Sequence, residues 1–164
     1  MSELSNIHAD IASRVAAITA AHPDWPCRKS CDACCHHLAE VPRLTRPEWE
    51  LLRDGLAALP SPLLADIGRA MADLGTVRPI VCPLLDRATG ECRVYAFRPV
   101  ACRTYGFYMQ RGVGVYCREI EARVAAGAWP DVVCGNQDVV EGRLAALGEV
   151  RELPAWFAEN SKQN

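Results

Sequence analysis

The stretch CRKSCDACC, residues 27–35, decides how this chain is interpreted. It places four cysteines within nine residues, at positions 27, 31, 34 and 35. In a helix these positions would lie on one stripe. Charged and polar residues interrupt the stretch and no large aliphatic residue accompanies the cysteines, so a buried apolar stripe is a poor explanation. Clustered thiols of this kind indicate metal binding or redox chemistry.

A second group of cysteines follows at regular intervals of ten residues: Cys82, Cys92 and Cys102. The segment that carries them is rich in proline and glycine, so it can fold back on itself. One helix cannot place four sulfurs around a single ion at about 2.3 Å. We therefore expect thiolates from 27–35 and 82–102 to share a centre, with Cys117 or Cys134 as an eighth donor. The residues alone leave open whether there is one site or two.

Composition sets the class of protein. The 164 residues are 50% hydrophobic and 23% charged, which indicates a globular chain with a buried core. The net charge of −2 gives no reason to expect a nucleic acid or an anionic membrane as a partner. No apolar run reaches the ~18 residues of a membrane span, and Met1-Ser2-Glu3-Leu4 is unlike a signal peptide. We expect a cytoplasmic protein, in which nine cysteines would not persist as disulfides.

The pattern between the cysteines predicts a mainly α fold with little β structure: a small irregular single domain whose helices are joined by cysteine-rich metal-binding loops. Residues 1–148 would form the metal-binding domain, with a helix within 1–22 packed on it, and 149–164 a polar tail in which Trp156 and Phe157 dock. Further helices are expected from the capping box Thr45-Arg46-Pro47-Glu48, from Ser61-Pro62, from Pro99, and over 118–127 and 137–147. A loop or loose hairpin is expected to turn at 86–90, a second, irregular hairpin is expected within 105–116, and a short strand within 39–44.

The cysteine motifs resemble a known family. The spacing Cys27-x3-Cys31-x2-Cys34-Cys35, followed by Cys82-Pro83, Gly90-x-Cys92 and Arg98-Pro99-x-x-Cys102-Arg103, is similar to the YkgJ-type cysteine-cluster family, described as chelating zinc or iron. The resemblance implies that the metal ligands include Cys27, Cys31, Cys34, Cys35, Cys82, Cys92 and Cys102. We predict Cys117 as the eighth ligand, because it lies nearer these segments than Cys134. His36 and His37 are alternatives for completing the coordination.

The sequence favours one metal over another and leaves several roles open. The three-cysteine spacing over 27–34 favours an iron–sulfur cluster slightly over Zn²⁺. Metal handling, electron transfer and support of a protein partner are the candidate roles, and no residue is predicted to be catalytic. The alternatives are a thiol oxidoreductase using Cys31 and Cys34, and an accessory module of a protein-lysine methylase, since a related domain occurs in flagellin lysine methylases.

Overall fold

The computed structural model describes residues 2–161. In chain order its helices are α1 (Glu3–Ala21), α2 (Ala33–His36), α3 (Arg46–Ala57), α4 (Ser61–Ala72), α5 (Val100–Thr104), α6 (Arg118–Ala125), α7 (Gln137–Ala145) and α8 (Leu153–Ser161). The strands are β1 (Arg43–Thr45), β2 (Leu85–Asp86), β3 (Glu91–Cys92), β4 (Tyr108–Gln110), β5 (Val113–Val115), β6 (Gly135–Asn136) and β7 (Val150–Glu152). The fold is mainly α with little β, as predicted.

The chain divides into two compact units. The first contains residues up to 29 together with 100–147, and the second contains 30–99 together with the residues from 148 onward. The predicted domain boundaries, 1–148 and 149–164, stay a prediction. Residues 1 and 162–164 of those segments lie outside the described residues. No helix within 2–161 has the length and apolar character needed to cross a membrane.

The first unit is built on α1, which buries one face through Leu4, Ile7, Ile11 and Ile18. Its sheet has the order β5-β4-β6, with β5 antiparallel and β6 parallel to β4. An aromatic group adds to the core: the Trp25 ring lies 4.5 Å from that of Trp129. The Trp129 indole N–H donates to both carboxylate oxygens of Asp24 at 3.1 Å. The predicted hairpin within 105–116 is confirmed as β4 and β5.

The second unit has its core between α3, α4 and α8. The predicted capping box begins α3: the Thr45 backbone N–H donates to the Glu48 carboxylate at 2.8 Å. Buried Trp49, Leu52 and Leu56 then face inward, as their spacing predicts. The hairpin β2–β3 is also confirmed, and its turn ends at Gly90, whose φ of 71° favours glycine.

The end of the chain differs from the prediction of a polar tail. Residues 150–152 form β7, which pairs antiparallel with β1, and α8 follows directly. Trp156 docks as expected and is fully buried, with its indole N–H donating to the Leu44 carbonyl at 2.9 Å. The helix was missed because its apolar residues acquire a buried face only through pairing with a distant segment.

Candidate metal centre

Four cysteines of the second unit come together from three segments. Cys34 and Cys35 lie on α2, Cys82 lies in the loop before β2, and Cys92 lies on β3. The Cys35 thiol interacts with those of Cys34 and Cys82. Cys92 lies close enough for its charge to act on Cys35 and for that of Cys34 to act on Cys92. We call these four residues the thiol cluster.

Local backbone pairing explains how the segments meet. The Cys82 N–H donates to the Cys35 carbonyl at 2.7 Å. Two residues before Cys82, Ile80 forms an antiparallel bridge with Leu38, whose N–H donates to the Ile80 carbonyl at 2.9 Å. These contacts fix the loop of Cys82 beside the end of α2, and the β2–β3 pairing brings Cys92 back toward it.

The helical stripe considered for residues 27–35 does not form. Ser30 has a φ of 74°, in the left-handed region, and an α-helix is present only over Ala33–His36. A single residue in this conformation interrupts the helical hydrogen-bond ladder. Cys34 and Cys35 are consequently the only members of the first motif on a helix within the described chain.

The thiols of the cluster form a short chain of hydrogen bonds. The bond between Cys34 and Cys35 raises the pKa of Cys34 far above its usual value, because that thiol donates, and burial adds to this effect. The same bond lowers the pKa of Cys35, but a hydrogen bond with Cys82, burial and the charges of Cys82 and Cys92 raise it to about 12 overall. These shifts favour the protonated forms of Cys34 and Cys35.

Two neighbouring groups partly oppose the raised pKa of Cys92. Burial raises the pKa of Cys92, while a hydrogen bond from the Val94 backbone and the charge of Arg98 oppose this rise. Arg98 is itself held in place: its Nε donates to the Tyr95 carbonyl at 3.1 Å, and its guanidinium carbon lies 3.6 Å from the centre of the Tyr95 ring. Arg98 also acts to lower the pKa of Cys34. The charge of Arg98 thus acts to lower the pKa values of two cysteines of the thiol cluster.

Polar contacts occur beside the first motif. His36 Nε2 lies 3.1 Å from an Asp32 carboxylate oxygen, and the Ser30 hydroxyl lies 3.0 Å from Glu91. His36 is half-buried, whereas His37 is exposed. The spacing of four residues between Asp32 and His36 is the feature of the sequence that indicates this contact.

The other predicted ligands are placed separately. Cys31 belongs to the second unit and is half-buried between Ser30 and Asp32. Cys27, Cys102 and Cys117 belong to the first unit, as does the alternative Cys134. The Cys27 sulfur lies 3.9 Å from the Tyr105 carbonyl oxygen and fills the space beside Gly106, where a Cβ atom would approach it to 2.3 Å.

Cys102 lies on α5, and Cys117 is the residue before the first turn of α6. Burial raises the pKa of Cys134, and the charge of Arg14 opposes it. These residues are described only within their own unit, and their assignment as ligands stays a prediction.

The thiol cluster matches a thiophilic metal in the chemistry of its donors. Within residues 2–161 no three His, Cys, Asp or Glu side chains stand in the arrangement of a metal site, and the clustered thiols bond to one another instead. Four sulfurs with a backbone N–H donor and a fixed arginine are nevertheless the groups that zinc and iron–sulfur centres use. A metal would replace the thiol protons, since only thiolates coordinate it.

The comparisons with known proteins agree with this chemistry. A family model described as "CxxCxxCC: Putative zinc- or iron-chelating domain" matches residues 26–135, more than half of the chain. The matched range contains all nine cysteines. No curated protein and no solved structure matched the chain.

Proposed function

From the premise that the chain belongs to the CxxCxxCC family of zinc- or iron-chelating domains, we propose that its thiol cluster holds the metal. The observation that carries the proposal is the convergence of Cys34, Cys35 and Cys82 from two distant segments, where the Cys82 N–H donates to the Cys35 carbonyl at 2.7 Å and the thiols interact with one another. The three-cysteine spacing over 27–34 favours an iron–sulfur cluster, and Zn²⁺ is the alternative. Cys27, Cys31, Cys102 and Cys117 stay predicted further ligands.

The proposed centre also has a structural role. Its ligands come from α2, from the loop of Cys82 and from β3, so coordination would tie together segments of the second unit that short backbone pairings hold in the apo state. Bound metal would supply electron transfer if it is an iron–sulfur cluster, or rigid cross-linking if it is zinc. Metal handling, electron transfer and support of a protein partner are the roles that follow.

The raised pKa of Cys34 bears on the thiol oxidoreductase alternative. A redox nucleophile needs a lowered pKa, so that the thiolate is present at neutral pH. The interaction with Cys35 and burial raise the pKa of Cys34, so Cys34 does not suit the role of the nucleophile. The alternative would need Cys31 as the attacking thiol, and we prefer metal binding because Cys34 lies with Cys35 and Cys82 in the thiol cluster.

The methylase-module alternative gains no support from the fold. The sheets within residues 2–161 contain two or three short strands each. A nucleotide-type cofactor typically binds a larger parallel sheet at a glycine-rich turn. The proposed function is accordingly metal binding without an assigned reaction.

The decisive experiment is anaerobic purification followed by an absorption spectrum and by measurement of iron, zinc and acid-labile sulfide per chain. We expect stoichiometric metal: visible absorption with labile sulfide for a cluster, or colourless protein with zinc. Cys34→Ser and Cys92→Ser should each lose most of the metal, whereas Cys134→Ser should keep it. Circular dichroism shows whether each variant is folded. A wild-type protein that takes up neither metal, or folded Cys34 and Cys92 variants that retain it fully, would contradict the proposal.

A further inference from the structure

The second unit contains a cavity that has no part in the thiol cluster. Its volume is about 420 Å³, within the range of small-molecule sites. Helices α3, α4 and α8 form its walls, and none of its lining residues is a cysteine. Those lining residues that carry the argument are Trp49, Arg53, Ala65, Gly68, Phe157 and Asn160.

One wall of the cavity is aromatic. Trp49 packs against Phe157 with ring centroids 6.4 Å apart and an interplanar angle of 67°, and its other neighbour Trp156 is nearly parallel to it at 7°. Trp49 is held rigidly by this packing, since it is only 4% exposed and belongs to the core. A rigid aromatic wall favours a planar apolar ligand, because ring pairs gain from defined offset or edge geometry.

The α4 side of the cavity includes two residues with little or no side chain. Ala65 and Gly68 occupy the positions where larger side chains would close the space. A Cβ atom at Gly68 would already lie 3.3 Å from Phe157 Cε1, which is tighter than ordinary contact. The backbone of α4 therefore approaches the aromatic wall closely here, and a larger residue at position 68 would occupy the cavity.

The polar edge of the cavity offers a positive charge. Arg53 on α3 is exposed, and its guanidinium forms no ion pair or side-chain hydrogen bond with another residue of the described chain. By contrast, Arg46 on the same helix pairs with Glu149 at 3.6 Å. Asn160 adds an amide at the edge. A guanidinium without a protein partner favours a carboxylate, which it can bind with two parallel hydrogen bonds.

We propose that this cavity binds a small aromatic carboxylate, with its ring against the apolar lining and its carboxylate at Arg53. The apolar interior would exclude ions that lack a ring, and the charge at Arg53 would discriminate against neutral aromatic compounds. The site is independent of the metal, so it is tested on the full chain in whichever metal state it is purified.

The test uses 3-phenylpropanoate as the probe and 3-phenylpropanamide as its neutral counterpart, with binding followed by calorimetry and by amide chemical shifts. We expect the carboxylate to bind about tenfold more tightly than the amide, as one charge-assisted pair at an exposed edge would give. Arg53→Gln should remove that preference. Arg69→Gln, which removes the same charge from α4 where it pairs with Asp66, should leave it intact.

Filling the cavity provides a second, charge-independent test. Gly68→Met should abolish binding of both probes, and Ala65→Leu should do the same if Gly68→Met unfolds the protein. Equal affinity for the two probes, an unchanged preference in Arg53→Gln, shifts confined to residues outside α3, α4 and α8, or no binding of either probe at millimolar concentration would each overturn the proposal. Binding of an amphipathic peptide in place of 3-phenylpropanoate would also overturn it.

Discussion

The cysteines of the two units are held in different ways. In the second unit, Cys35 interacts with both Cys34 and Cys82, and these interactions shift the pKa values of Cys34 and Cys35. In the first unit, Cys27 packs against the backbone of Tyr105 and Gly106, and the pKa of Cys134 responds to burial and to Arg14. The contrast teaches that cysteine number alone does not identify a metal centre.

The largest expected effect on metal binding is at Cys35, the central member of the thiol cluster. Cys35→Ser removes the sulfur that bonds to both Cys34 and Cys82. We expect Zn²⁺ affinity, measured by competition with a chromogenic chelator, to fall at least about a hundredfold, the upper end of the cost of losing a supporting contact. Cys134→Ser is the matched control in the first unit and should change affinity little. Equal losses in the two variants would show that the division between the units has no bearing on metal binding.

Arg98 sharpens the comparison with a smaller effect. Its charge acts on Cys34 and Cys92 and would offset the excess negative charge of a thiolate centre. Arg98→Gln should weaken metal binding about tenfold in the same competition assay, as loss of an outer-shell partner does. Arg87→Gln is the control, because it removes the same charge from an exposed turn of the second unit. A tenfold loss of metal affinity in both variants would mean that the effect comes from the net charge of the protein and not from the position of Arg98.

Much of the fold follows from local signals in the sequence. The capping box at Thr45 and Glu48 begins α3, and Asn136 caps α7 by accepting a hydrogen bond from the Val139 N–H at 3.3 Å. Such signals act within one turn of helix, so spacing reveals them. Strand β7 and helix α8 were missed because they depend on pairing with β1, more than a hundred residues earlier. No local pattern encodes that partner.

The sequence predicted eight candidate ligands, which stay predictions, and it could not predict which of them the backbone brings together. The motif spacing selected all four residues of the thiol cluster. It could not show that Ser30 adopts a left-handed conformation, which ends the helical stripe, or that the Leu38–Ile80 bridge brings Cys82 to Cys35. These features arise from backbone geometry and from contacts between distant segments. The position of Arg98 over the Tyr95 ring could likewise not be predicted from the sequence.

The smallest expected effect is on the free energy of unfolding at acid pH, and it arises from His8 in the first unit. Burial lowers the pKa of His8 from 6.5 to about 4, and the charge of Arg103 acts in the same direction. His8 Nε2 is buried without a hydrogen-bond partner among the described residues. Above pH 6.5 the histidine is neutral in both states and this contribution is complete. As the pH falls toward 4, His8 becomes protonated in the unfolded chain but stays neutral in the folded chain, so the free energy of unfolding decreases. Because the ring is half-buried, solvent screening reduces the loss to on the order of 1 kcal/mol.

Urea unfolding of the metal-free protein at a series of pH values should show a flatter profile for His8→Leu than for the wild type. Ser13→Ala, an exposed change on the same helix, should follow the wild type. Parallel profiles for His8→Leu and the wild type would mean that His8 does not set the acid response of this unit.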